Sequence, residues 1–126
     1  MQDYIFPKNN PKDTSPNNER GVDQELRNAQ IELRLCELEE AYRVLKVICE
    51  GEGEKIARQN LRGEGYVGGS SRGLEGVDWA QWKNRFHVDK MTVAGHSFGA
   101  ATVVEVLRHT DRFENVQAGI IYDIWG

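Results

Sequence analysis

A serine between two glycines carries the clearest chemistry in this sequence: Gly95-His96-Ser97-Phe98-Gly99, directly after the apolar run Met91-Thr92-Val93-Ala94. This is the G-x-S-x-G pattern, in which a serine nucleophile sits at a sharp turn from strand to helix. A side chain at either glycine is expected to block that turn. The flanks agree, with a β-branched strand before the motif and helix-compatible residues 100–109 after it, so Ser97 is expected to project from a sheet end. The bland alternative is a chance match in an ordinary turn. A serine hydroxyl is a poor nucleophile at neutral pH. It needs a histidine to take its proton and usually a carboxylate to hold that histidine in the right tautomer. Where the chain order is Ser, acid, His, Asp123 fits the second place. It stands at the C-terminal end of the next expected strand, residues 116–122, on the same edge of a parallel sheet as the serine. Its alternative role is a strand-end turn residue.

The rest of such a machine is expected to be incomplete. The backbone N–H of Phe98, aided by the helix N-terminus, would supply one oxyanion donor. A second donor normally comes from a loop after an earlier strand, and residues 1–87 show no strand pattern to carry it. The histidine base is expected to be absent from the chain. Only Ile124, Trp125 and Gly126 follow Asp123, while His87, His96 and His109 all precede it. His96 adjoins the nucleophile, so its ring should point away from the reacting face. His109 would lie about 18 Å from Ser97 along a helix axis. His87 falls before the strand, at the opposite sheet edge. All three read as structural or surface histidines.

Several elements must position these groups. Residues 1–20 are polar and turn-rich, with Pro7, Pro11 and Pro16, and read as an extended arm; its Ser15-Pro16 step is an ordinary loop before it is a phosphorylation site. Residues 21–126 form the expected domain. Between residues 22 and 50, Ile31, Leu35, Leu38, Tyr42, Leu45 and Cys49 step by four and three, which makes an amphipathic helix of roughly 40 Å. Arg34, Glu37, Glu40, Arg43 and Lys46 cover its other side. The helix reads as packed on its own domain rather than as a coiled coil. Gly51-Glu52-Gly53 should end it, and a short helix over 54–62 should follow. The loop 63–76 holds a formal G-x-G-x-x-G, Gly63 to Gly68, but in a helix-then-loop context that does not suit a dinucleotide. Trp79, Trp82 and Phe86, spaced by three and four, predict one face of a helix. Buried, that face is core; exposed, it would make transient contact with a membrane surface. A strand over 88–94 leads to Ser97. In the helix after it, Ala101, Val104 and Leu107 are the expected sheet-facing side, and two strands alone predict an incompletely covered sheet.

Composition sets outer bounds. A chain of 126 residues supports one domain or a piece of one. The net charge of −4, with 16 basic residues mixed among 20 acidic ones, gives no reason to expect nucleic acid. No stretch has the length of a membrane span or the form of a signal peptide, so the expected location is the cytoplasm. Cys36 and Cys49 lie 13 positions apart on one helix, too far for a disulfide and not at a zinc spacing. No metal and no cofactor is expected, and the oligomeric state is left open.

A longer string sharpens the reading. Gly95-His96-Ser97-Phe98-Gly99-Ala100-Ala101-Thr102-Val103-Val104, then Arg112-Phe113, then Ala118-Gly119-Ile120-Ile121-Tyr122-Asp123-Ile124-Trp125, resembles the platelet-activating factor acetylhydrolases. The likeness is to the plasma and intracellular type II group and above all to fungal relatives. Asn60-Leu61-Arg62, Tyr66, Ser70-Ser71-Arg72-Gly73 and residues 79–86 extend it, so that it spans most of residues 20–126. The resemblance implies an α/β fold, here a partial α/β-hydrolase: an elbow strand and helix plus the following strand, preceded by a long amphipathic helix. It implies a calcium-independent serine esterase that removes the short sn-2 acyl group of phospholipids, with Ser97 matching the nucleophile and Asp123 the triad acid. It also implies strands and an oxyanion loop ahead of this region and a histidine beyond it, so the chain reads as a fragment, expected to be inactive alone. Two further readings compete: another α/β-hydrolase, such as a lipase or thioesterase, and an inactive fragment that binds a partner through the 22–50 helix.

Overall fold

The stepping of apolar residues by three and four from Ile31 to Cys49 produces the expected helix, α1 (Gln24–Cys49). In the computed structural model, which describes residues 24–60, 74 and 76–124, Leu35 and Cys49 on that stripe are buried and the other stripe residues half-buried. The charged side is laced by local ion pairs, Arg34 with Glu37 and Arg43 with Glu40. Among the described residues no helix is long and apolar enough to cross a membrane. The chain divides into two units: residues up to Leu38 together with those from Lys90 onward, and Glu39–Asp89. The arm 1–20 and the glycine pattern 63–68 lie outside the described residues.

In the first unit, β1 (Met91–Ser97) and β2 (Val116–Ile124) pair in parallel, joined through α3 (Phe98–Arg108). β1 starts three residues later than expected. Val88 lies in the turn before it, and the Met91 N–H opens the strand by donating to the Asn115 carbonyl at 2.8 Å. β2 runs two residues further than expected, to Ile124. The buried residues of α3 are Phe98, Ala100, Thr102, Val103 and Val106. Of the expected sheet-facing residues Leu107 does lie on β2, whereas Ala101 and Val104 are half-buried. The reason is that α3 packs on two sides, so a single stripe does not describe it. Val106 joins Leu35 of α1 and Phe113 in the core, with Ile31, Leu38, Val93 and Val116 around them. Toward β2, Val103 and Leu107 approach so closely that a Cβ on Gly119 would lie 2.7 Å and 2.8 Å from their methyl carbons. Among the described residues the sheet has two strands, and Ile120, Ile121, Tyr122 and Ile124 of β2 are exposed. The expected incomplete cover is therefore observed there.

In the second unit, Gly51 ends α1 at φ +88°, with its N–H on the Ile48 carbonyl and the Glu52 N–H on the Val47 carbonyl. That pair of bonds is the Schellman arrangement, which needs the left-handed residue that glycine supplies. α2 covers Gly53–Arg58, shorter than the expected 54–62. Gly53 is where the Trp79 indole lies flush on the backbone, since a Cβ there would sit 2.3 Å from the ring. The expected helical face Trp79–Trp82–Phe86 is corrected. Trp79–Trp82 is one 3-10 turn, begun by Asp78, whose carboxylate accepts from the Ala80 N–H. Lys83 then turns extended and Asn84 takes a positive φ, which breaks the helix. Trp82 is 47% exposed, while Trp79 and Phe86 are half-buried.

Candidate active site

The turn from β1 into α3 is made by removing one side chain. A Cβ on Gly95 would lie 2.1 Å from the Gly99 carbonyl oxygen and 2.3 Å from its carbon, which no real contact allows. Gly95 thus lets the first turn of α3 fold back against the end of β1. Gly99 does not do the same: a Cβ there meets nothing within 4 Å among the described residues, so the expectation that both glycines are sterically required is corrected. Only the first one is required by this turn.

Between them Ser97 adopts φ 57° and ψ −122°. A serine rarely takes a positive φ, and such a conformation costs about 1–3 kcal/mol unless its surroundings impose it. Here His96 in the strand before it and Phe98 in the helix after it impose it from both sides. Ser97 occupies the N-cap of α3, where a serine ordinarily accepts from the helix's first amides. Its side chain makes no such bond. The hydroxyl is therefore not spent on capping, and Ser97 is half-buried at the C-terminal rim of the sheet. Phe98 follows as the first helical residue, buried at 8% exposure. Its N–H has no acceptor within the helix, as at any helix start, and the helix dipole favours negative charge there. The Thr102 hydroxyl donates to the Phe98 carbonyl at 3.1 Å, tying this residue to the next turn.

Asp123 stands at the same rim. His96 pairs with Tyr122 and Ser97 with Ile124, so Asp123 is the extra residue of a bulge between two registered pairs. Its φ of 42° belongs to that irregularity. Bulges re-aim a side chain at the end of a ladder, and this one puts an exposed carboxylate on the strand end adjoining Ser97. Both groups thus lie at the C-terminal ends of neighbouring parallel strands, the usual location for chemistry in α/β sheets.

The described histidines are distributed over both units. His96 is exposed on β1. His109 caps the far end of α3, its Nε2 3.8 Å from a Glu105 carboxylate oxygen. His87 belongs to the Glu39–Asp89 unit. Among the described residues no strand precedes β1, and no group of three or more His, Cys, Asp or Glu side chains could hold a metal.

One neighbour of the site was not anticipated. Arg27 of α1 is 8% exposed, and its guanidinium carbon stands 4.9 Å from the centroid of the Phe98 ring. Burial lowers its pKa from the ordinary arginine value, although a guanidinium stays charged under such shifts. A signal was present: Arg27 lies four residues before Ile31, on the continuation of the apolar stripe, where a charged residue breaks the pattern.

The sequence model of the family described as platelet-activating factor acetylhydrolase, isoform II, matches residues 11–126 of the chain. No curated protein and no solved structure matches it.

Proposed function

Because the chain belongs to the family of platelet-activating factor acetylhydrolase, isoform II, which points to a hydrolase, we propose that Ser97 is the nucleophile of a serine esterase acting on short sn-2 acyl groups of phospholipids. The observation that carries this reading is the φ 57°, ψ −122° backbone of Ser97, held between strand and helix with no capping bond to explain it. Strain of this kind persists only where the surroundings over-determine it, and it clusters at active sites.

In this reading the Ser97 hydroxyl oxygen forms a bond to the ester carbonyl carbon while a histidine base takes its proton. The oxygen that becomes negative is met by the Phe98 N–H. Asp123 holds the base in the tautomer that accepts the proton. Collapse breaks the carbon–oxygen bond to the lipid alcohol, which leaves with the proton held by the base. Water then repeats the sequence on the acyl-enzyme and releases the short-chain acid.

The test is hydrolysis of an sn-2 acetyl glycerophospholipid, beside a long-chain analogue, by the protein expressed over its full reading frame. Ser97→Ala should lower kcat by at least about 10³-fold with KM little changed, and Asp123→Asn should also lower kcat. A Ser97→Ala protein that keeps its rate overturns the reading. Faster turnover of the long-chain ester would keep the serine esterase and change its substrate to that of a lipase.

A further inference from the structure

An arginine is seldom almost wholly inside a small protein. Arg27 is, and its planar cation lies over the face of Phe98, itself equally buried. Such contacts contribute more as they lose water. The stacking partner is the residue whose amide follows Ser97 at the elbow. Within its own helix Phe98 is also tied by the Thr102 hydroxyl, which donates to its carbonyl. Arg27 reaches Phe98 from a different element, α1, and both residues belong to the same unit.

We propose that Arg27 is a positioning residue, whose guanidinium clamps the Phe98 ring and thereby fixes the direction of the Phe98 amide at the Ser97 elbow. The inference rests on the reading of that amide as an oxyanion donor. An amide N–H helps a developing oxyanion only if it is aimed before the reaction, because preorganisation is what makes such donors effective. At the first position of a helix no intrahelical bond fixes the N–H. A buried ring held under a guanidinium from α1 restricts the backbone it hangs from. Arginine suits this task because its flat, weakly hydrated cation stacks on an aromatic face.

Two measurements test it. The first is ¹⁵N relaxation of the full chain. In Arg27→Met the Phe98 amide order parameter should fall from about 0.85 to below about 0.6, while the Val103 and Val106 amides stay rigid. The second is hydrolysis by the protein expressed over its full reading frame. Arg27→Met should lower kcat about tenfold, a misplacement effect smaller than losing the donor, with KM within about twofold. Arg27→Lys, which still sets a cation over the ring, should regain most of that loss. A Phe98 amide as rigid in Arg27→Met as in the parent overturns the proposal. So does loosening spread evenly over α3, which would mean general packing. If Arg27→Met does not fold, Phe98→Leu decides, since it keeps apolar bulk and removes the aromatic face: a loosened amide supports the clamp, an unchanged one overturns it. A Ser97→Ala protein that retained activity would sink the nucleophile reading and leave the relaxation result to judge the clamp alone.

Discussion

Ser97 and Asn84 have nearly the same backbone φ, 57° and 56°, yet the two regions hold it for different reasons. Asn84 follows the Trp79–Trp82 turn, and its N–H donates to the Cys49 carbonyl at 2.9 Å. The Cys49 thiol donates in turn to the Phe86 carbonyl at 3.2 Å. Asparagine tolerates the left-handed region well, so this is a relaxed turn that closes on the end of α1. Ser97, at ψ −122°, lies outside the left-handed helical region that asparagine tolerates, and it has no capping bond to repay its conformation. Its conformation is imposed by a strand on one side and a packed helix on the other. A positive φ therefore says little by itself. It points to function where the residue is a poor one for it and the neighbouring elements force the issue.

The sharpest way to break this comparison is to remove the space that the elbow uses. Gly95→Ala places a carbon on a backbone carbonyl, which cannot swing aside like a side-chain end, and should cost about 3 kcal/mol or more. Gly99→Ala puts a methyl group in open space at a helical position, and should change stability by no more than about 1 kcal/mol, in the stabilising direction. Urea unfolding of both variants measures the difference. Similar losses for the two would mean that the elbow is not held by Gly95 alone.

A smaller effect tests the strain directly. Ser97→Gly relieves a conformation worth about 1–3 kcal/mol and gives back about 0.5–1 kcal/mol of glycine entropy. The expected result is a protein about 1 kcal/mol more stable in urea and without esterase activity. Asn84→Gly, at the same φ, should stay within about 0.5 kcal/mol of the parent. Equal responses would show that Ser97 is no more strained than the turn.

The same contrast explains what could be read from the residues alone. The elbow was legible because its geometry is local: one glycine, a β-branched strand before it and a helix after it fix the turn. The end of α1 was legible for the same reason, through Gly51. Trp79, Trp82 and Phe86 misled because a spacing of three fits a 3-10 turn as well as an α-helix, and the break comes from the extended Lys83. The single stripe read for α3 captures Leu107 on β2 but not Val106, because burial there depends on α1, a partner distant in sequence. Arg27 was missed for that reason too: a cation on an apolar stripe becomes informative only when the ring beneath it is known. Asp123 was placed on the right rim by parallel pairing, but the bulge that sets it between Tyr122 and Ile124 has no sequence mark.

The smallest expected effect separates a pair that joins distant segments from one that is merely local. Glu32 of α1 accepts a hydrogen bond from Arg112 at 3.0 Å, eighty residues away, in the elbow's own unit. That bond, helped by one from the Cys36 thiol and by the positive field of Arg112 and His109, holds the Glu32 pKa below the ordinary glutamate value despite some desolvation. Glu40 is lowered as well, chiefly by the hydrogen bond from Arg43 three residues on. A carboxylate whose folded pKa is depressed stabilises the fold fully above its unfolded pKa, about 4.3 for glutamate, and loses that contribution as pH falls through the folded value. Stability should therefore decline below about pH 4.3, and both pairs are exposed, so the decline is modest. The Glu32–Arg112 pair exists only when α1 and the loop after α3 are docked. The Glu40–Arg43 pair can persist in any helical remnant of the unfolded chain, which shrinks its linkage to folding. Urea unfolding at pH 7 and pH 3 should thus show a smaller pH difference in Arg112→Ala than in the parent, and a nearly unchanged one in Arg43→Ala. The reverse order would mean that α1 is not fastened beside the elbow through Glu32, and that the first half of α1 owes its place there to its other contacts, among them Leu35, Ile31, Leu38 and Arg27.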